Sequence, residues 1–320
     1  MRLITFVLQD EVRERPGALK GDGSVVDLST RFEDMLTLIE AGEDGLDQAR
    51  EILERSDRSQ TYSKSNYSYR APIPKPPQIR DFANYEKHVL QAMDASMHLR
   101  SLTEPDPEAA RERYKASGQY VIAPVWYEQP IYFKCNRLSV IGHEQDVIWP
   151  NYSERMDYEL ELACVIGKTT KNVSRDAARE HIFGYTIFND FSARDALSKE
   201  MAFRMGPAKG KDFDTGNVFG PCIITRDEID DPYRLKMSVR VNGETKIETT
   251  SSGSQHDFER CIEHVSMDET LHPGEILALG TVDDGCGFES LTWLSESDVV
   301  ELEVEKIGIL RNRLVRPSTK

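Results

Sequence analysis

Twelve residues, Met156 to Gly167, constrain this chain more than any other stretch. In an extended strand residues i and i+2 face the same way, so Glu159 and Glu161 share a face with Ala163 and Val165. Tyr158, Leu160, Leu162, Cys164 and Ile166 form an apolar opposite face that has to pack into a core. Two carboxylates held side by side repel each other unless a cation or a proton lies between them. Asn189-Asp190 ends another apolar stretch, and Asp190 would complete an oxygen-rich set suited to Mg²⁺, Mn²⁺ or Ca²⁺. Spacing alone also fits a plainer arrangement, the solvated face of an amphipathic edge strand.

The rest of the composition narrows the class. A chain of 320 residues can bury a sizeable core and carry a smaller appendage. A formal net charge of -15 makes phosphate backbones poor partners, which sets nucleic acid aside. Five scattered cysteines without a Cys-x-x-Cys spacing read as reduced thiols of a cytoplasmic protein. The opening apolar run is short and soon acidic, unlike a secretory signal, and no segment approaches 18 uninterrupted apolar residues. No membrane role is expected.

Three parts are expected along the chain: a small N-terminal α/β domain over 1–71, a proline-rich connector over 72–78, and a strand-dominated domain over 79–320. Gly21-Asp22-Gly23 predicts a turn, and Phe32 to Ala41 and Leu46 to Arg55 have helical periodicity. The connector, Ala71-Pro72-Ile73-Pro74-Lys75-Pro76-Pro77, can continue neither a helix nor a central strand. Helices follow over Asn84 to Leu102 and Asp106 to Ser117. Asn242-Gly243 after the alternating run Leu235 to Val241 predicts a hairpin, and Val299 to Leu310 reads as a pair of strands.

Several ordered blocks then carry a resemblance: Asp81 to His88, Tyr158 to Leu162, Gly184 to Asp195, Gly206 to Phe213, Val241 to Glu244, and Gly280-Thr281. Over residues 78–316 the chain resembles the fumarylacetoacetate hydrolase family. The resemblance implies an α+β, strand-dominated fold with a mixed β-roll, a divalent cation held by carboxylates, and a homodimer. It places Glu159, Glu161 and Asp190 on metal-ligand positions. Asp81, seven residues before His88, is a fourth ligand by the same resemblance, although it could equally cap the helix that follows.

His88 shares a helix face with Tyr85, Ala92, Ala95 and Leu99. By itself that suits a core histidine satisfied by a backbone carbonyl; the resemblance makes it the base that deprotonates water. Many family members place a glutamate three residues later, where this chain has Gln91, so the partner of His88 is expected elsewhere; by the resemblance it is Glu289, which could equally be a plain surface glutamate. The resemblance also implies that Lys211, otherwise a solvated lysine, would steady negative charge on the substrate, and that Lys134 with Gly280-Thr281 would bind its carboxylate. Arg194 and Asp195 read as an internal ion pair shaping a turn. A glutamine that touches substrate in several relatives is Leu197 here, and Ser198 to Met205 is also unlike the better-known members.

The expected enzyme is a metal-dependent hydrolase that cleaves a C–C bond in an acylpyruvate or related 1,3-diketo acid. A decarboxylase or keto-enol isomerase of a 2-keto diacid such as oxaloacetate is the alternative, and a non-catalytic metal-binding protein the third reading. The expected partner is a small anionic keto acid.

Overall fold

The computed structural model describes residues 1–317 apart from 58 and 204. One residue of the unusual Ser198 to Met205 segment and the last three of the expected 79–320 domain therefore lie outside the described residues.

Three strands carry the candidate acids or flank them: Glu159–Ile166, Ile182–Asp190 and Asn217–Thr225. Every residue in all three is buried. Burial on both sides gives near-continuous apolar runs rather than alternation. Leu160, Leu162, Cys164 and Ile166 face a core shared with Tyr185, Phe258 and Val239. Ala163 and Val165 face a second core with Phe188, Phe219, Leu28, Phe32 and Leu38. Glu159 and Glu161 thus belong to a covered face, and the solvated-edge arrangement that their spacing allowed is not adopted.

These strands form the middle of a sheet of twelve strands among the described residues. Glu159–Ile166 runs antiparallel to Ile182–Asp190 on one side and to Ile276–Cys286 on the other, and Ile276–Cys286 pairs in parallel with Ile79–Phe82. Asp81 therefore sits in a strand, opposite Ala278, and caps no helix. The sheet continues into the N-terminal region, where Arg2–Leu8 pairs with Asn217–Thr225 through Leu3 and Ile223. The proline-rich connector lies against this sheet, with the Pro72 carbonyl accepting a 2.7 Å hydrogen bond from Thr5 Oγ1.

A second sheet packs beside the first, with Lys236–Val241 and Glu244–Thr250 joined at Asn242-Gly243. Both turn residues have positive φ, 54° and 79°, as a two-residue type I′ hairpin requires. Helix Glu86–Ser101 leaves the main sheet just after Asp81. Its entry is fixed by the Asn84 amide donating to the Leu279 carbonyl and by Tyr85 Oη donating to the Ser251 carbonyl. His88 consequently sits in the first turn, directly above the sheet. Among the described residues no helix is long and apolar enough to cross a membrane.

Candidate active site

Oxygens of Asp81, Glu161 and Asp190, contributed by three different strands, lie within 4.8 Å of one another. All three side chains are buried. One oxygen of each, Asp81 Oδ1, Glu161 Oε2 and Asp190 Oδ1, has no hydrogen-bonding partner among the described residues. Buried carboxylate oxygens left in this state are costly. Burial and the neighbouring acids push the Asp81 and Glu161 carboxyls well above the usual range. Burial and Glu159 raise Asp190 to about 6 against the pull of Lys211. Three convergent hard oxygens without partners fit a divalent cation of the Mg²⁺, Mn²⁺ or Ca²⁺ kind. Thr281 Oγ1 donates to the other oxygen of Glu161 at 3.2 Å and so orients that acid.

Glu159 stands beside this trio with both oxygens occupied. Oε1 is 2.6 Å from Arg194 Nη2 and Oε2 is 2.6 Å from Lys211 Nζ. Burial alone would raise its carboxyl, but Lys211, Arg194 and the nearby His88 together hold it below the ordinary value. Of the four acids expected to hold a metal, the structure brings three together and pairs the fourth with cations.

Lys211 is wedged into the cluster, its ammonium donating to Asp190 Oδ2 at 2.5 Å as well as to Glu159. Burial opposes its charge; Asp190 and Glu159 outweigh burial and hold its pKa above the ordinary lysine value.

The His88 ring meets Glu289, Nδ1 to Oε1, at 2.8 Å, with both side chains largely buried. Glu289 is fixed in turn by the Cys286 amide, which donates to Oε2 at 3.1 Å. Gln91 instead donates to Asp284 and takes no part in the pair. An irregularity in the sheet makes the arrangement possible. Glu159 pairs with Cys286 and Glu161 with Thr281, so the Ile276–Cys286 strand bulges between them. The bulge presents Asp283 to the His88 backbone amide at 3.3 Å.

Two expectations need correcting. Lys134 pairs with Arg80 across the strands, while Asp81 pairs with Phe133. Successive residues of a strand point to opposite faces, so Lys134 lies on the face away from the acids, half exposed and 3.7 Å from Glu269. Arg194 does not pair with Asp195: it binds Asp157 and Glu159, while Asp195 accepts from Ser153 Oγ and the Glu154 amide. At Gly280, φ is +95° and a Cβ would collide with the Phe82 carbonyl, so only glycine lets the two strands meet beside Asp81. Sequence reasoning gave no role to Asp157, which immediately precedes the Tyr158 to Leu162 block, or to Asn189, whose Oδ1 accepts from the Glu159 amide at 3.0 Å.

Residues 78–315 match the family description "Fumarylacetoacetate (FAA) hydrolase C-terminal". The chain belongs to the fumarylacetoacetate hydrolase family. Within it, an oxaloacetate tautomerase of Xenopus laevis mitochondria is 31% identical over 323 residues, covering 98% of this chain and 90% of its own. Oxaloacetate tautomerase YisK of Bacillus subtilis is 30% identical, covering 92% and 91%. Among solved structures, a fumarylacetoacetate hydrolase from Exiguobacterium antarcticum superposes with a TM-score of 0.71 at 26% identity, covering 99% of this chain and all of that one. A Sphingobium maleylpyruvate hydrolase in complex with manganese(II) and pyruvate gives 0.73 at 22% identity, covering 99% and 100%, a likeness of fold. The family is enzymatic, and members similar to this chain are named as a hydrolase, an isomerase and tautomerases.

Proposed function

We propose that this chain is a metal-dependent keto-enol tautomerase of a 2-oxo diacid such as oxaloacetate. The observation that carries the reading is the His88–Glu289 pair, whose ring is near enough to Glu159, the acid bonded to Lys211, to act on its charge. Asp81, Glu161 and Asp190 would hold the cation, which supplies Lewis-acid polarisation of a 2-oxo group and so acidifies the adjacent C–H. His88 takes the C3 proton of the substrate, and the electron pair of that bond moves toward the C2 oxygen. Glu289 keeps the ring in one tautomer and offsets the positive charge it acquires. Lys211 keeps a fixed positive charge at the cluster against the negative charge that develops. Return of the proton to oxygen gives the enol; the reverse gives the keto form. Relatives matched over nearly the whole chain that carry the name oxaloacetate tautomerase support this choice.

Hydrolysis of a C–C bond in an acylpyruvate is the second reading. It is favoured by the same pair, since an imidazole backed by a carboxylate also deprotonates water. The test is to give the protein, with Mg²⁺ or Mn²⁺, enol oxaloacetate and a panel of acylpyruvates, following enol absorbance and product mass. Faster ketonisation without change of mass supports the tautomerase; two organic fragments support the hydrolase, and CO₂ a decarboxylase. Absence of acceleration with every substrate refutes the proposal.

A further inference from the structure

We infer that Asp157 is a positioning residue that holds the acid cluster and the His88–Glu289 pair in one frame. The inference rests on the proton-transfer role given above to that pair. Asp157 is fully buried, two residues before Glu159, in a short strand paired with Ser192–Ala193. Its carboxylate accepts five hydrogen bonds. Oδ2 takes Arg194 Nε at 2.9 Å, Arg194 Nη2 at 2.7 Å and the Phe288 amide at 2.9 Å; Oδ1 takes the Gly287 amide at 2.8 Å and the Tyr158 amide at 2.9 Å.

These bonds run in two directions. Toward the dyad, the Gly287 and Phe288 amides begin the turn that carries Glu289, so the position of the carboxylate facing His88 follows from where Asp157 holds that turn. Gly287 fits only as glycine, because a Cβ would collide with the Thr292 carbonyl and lie 2.6 Å from Asp157 Oδ1. Toward the acids, Arg194 Nη2 is shared between Asp157 and Glu159 Oε1, and the Phe288 ring covers the guanidinium with its centre 4.9 Å away. Remove the charge at 157 and both ends move: the turn loses its anchor, and Arg194 is left to Glu159 alone.

The test uses Asp157→Asn, which keeps the shape of the side chain, together with Glu289→Gln and the double variant. Expected for Asp157→Asn is a kcat lower by roughly 10- to 50-fold with KM within about threefold, the pattern of an interaction realised in the transition state. The double variant should be no worse than Glu289→Gln by more than about twofold, because neighbours acting through one group are not additive. Mn²⁺ binding to the metal-free protein, followed by electron paramagnetic resonance, should weaken by roughly fivefold or more, about 1 kcal/mol. A residue that merely stabilises the fold would lower Tm and leave kcat per folded molecule and the Mn²⁺ dissociation constant where they were; that result overturns the proposal, as does multiplication of the two kcat losses. If Asp157→Asn does not fold, Arg194→Lys, which keeps the charge but breaks the fork, enters the same cycle with the same criteria. The Mn²⁺ arm needs no substrate. Lack of turnover in the unaltered protein would therefore refute the proposed reaction, while unchanged Mn²⁺ affinity would separately refute the role of Asp157.

Discussion

Replacing Glu289 by Gln removes one charge and little else, which makes it the sharpest probe of the site. The amide keeps the shape, and its oxygen can still accept from Nδ1. At 2.8 Å, with the two side chains only 13% and 4% exposed, the His88–Glu289 contact is poorly screened by water. A hydrogen bond to a charged group contributes about 1.5–3 kcal/mol, a neutral one about 1. Opposite charges about 4 Å apart attract by about 4 kcal/mol at an effective dielectric of 20. Between the difference of those two hydrogen bonds, about 0.5–2 kcal/mol, and the charge attraction of about 4, the loss specific to the protonated ring is about 1.5–3 kcal/mol, and at about 1.4 kcal/mol per decade this is roughly 10- to 150-fold in kcat. KM should stay within about threefold, because Glu289 is not among the three convergent acids. Stopped-flow absorbance of the enol, with Tm as a check on folding, reads both parameters. A kcat within about twofold of the unaltered protein would refute the role given to the pair.

Other outcomes follow from the same geometry. His88→Ala should abolish turnover yet leave Mn²⁺ affinity within about threefold, by calorimetry; retained activity would remove the ring from the reaction. Asp190 in the metal-free fold takes its proton near pH 6 rather than 3.8, so the folded state binds more protons than the unfolded chain and its stability falls as pH rises between those values. A cation replaces the proton, so the rise in Tm given by saturating Mn²⁺ should be larger at pH 7 than at pH 5, and scanning fluorimetry showing the reverse would contradict the site. Glu275→Ala strips the buried Arg80 guanidinium of its buried partner and should cost about 3–5 kcal/mol in urea unfolding. Gly280→Ala forces a left-handed residue against the Phe82 carbonyl; strain of at least about 1–3 kcal/mol should appear as a lower Tm together with weaker Mn²⁺ binding.

What the sequence disclosed depended on how local the determinant was. The i, i+2 spacing of Glu159 and Glu161 fixes their common face whatever the rest of the fold does, and the eight residues from Asp81 to His88 suffice to carry a strand into a helix start. The hairpin at Asn242-Gly243 is equally local, since the turn needs two positive φ angles. The meeting of His88 and Glu289 spans 201 positions; Gln91 shows only that a partner has to come from elsewhere, and Glu289 is reached through the family resemblance, not through any local pattern. Arg194 misled because a neighbouring opposite charge, Asp195, looks like a partner, yet the start of a helix turns the two side chains apart and Arg194 finds Asp157 across 37 positions. Lys134 misled because parity within a three-residue strand depends on register, which only pairing with Arg80 reveals. That Glu159 ends up paired with Lys211 and Arg194 follows from three separate elements closing on one point, which no spacing encodes.

The pairing of Arg2 and Leu3 with Ile224 and Ile223 has a practical corollary. Cutting the gene near the prolines would not release an independent catalytic half; it would bare the Ile223-Ile224 end of the Asn217–Thr225 strand, buried and apolar, as an open rim. Such a rim recruits other chains by strand addition, so a shortened protein should come out of cells as aggregate, and questions about the first seventy residues are better put with point substitutions than with deletions.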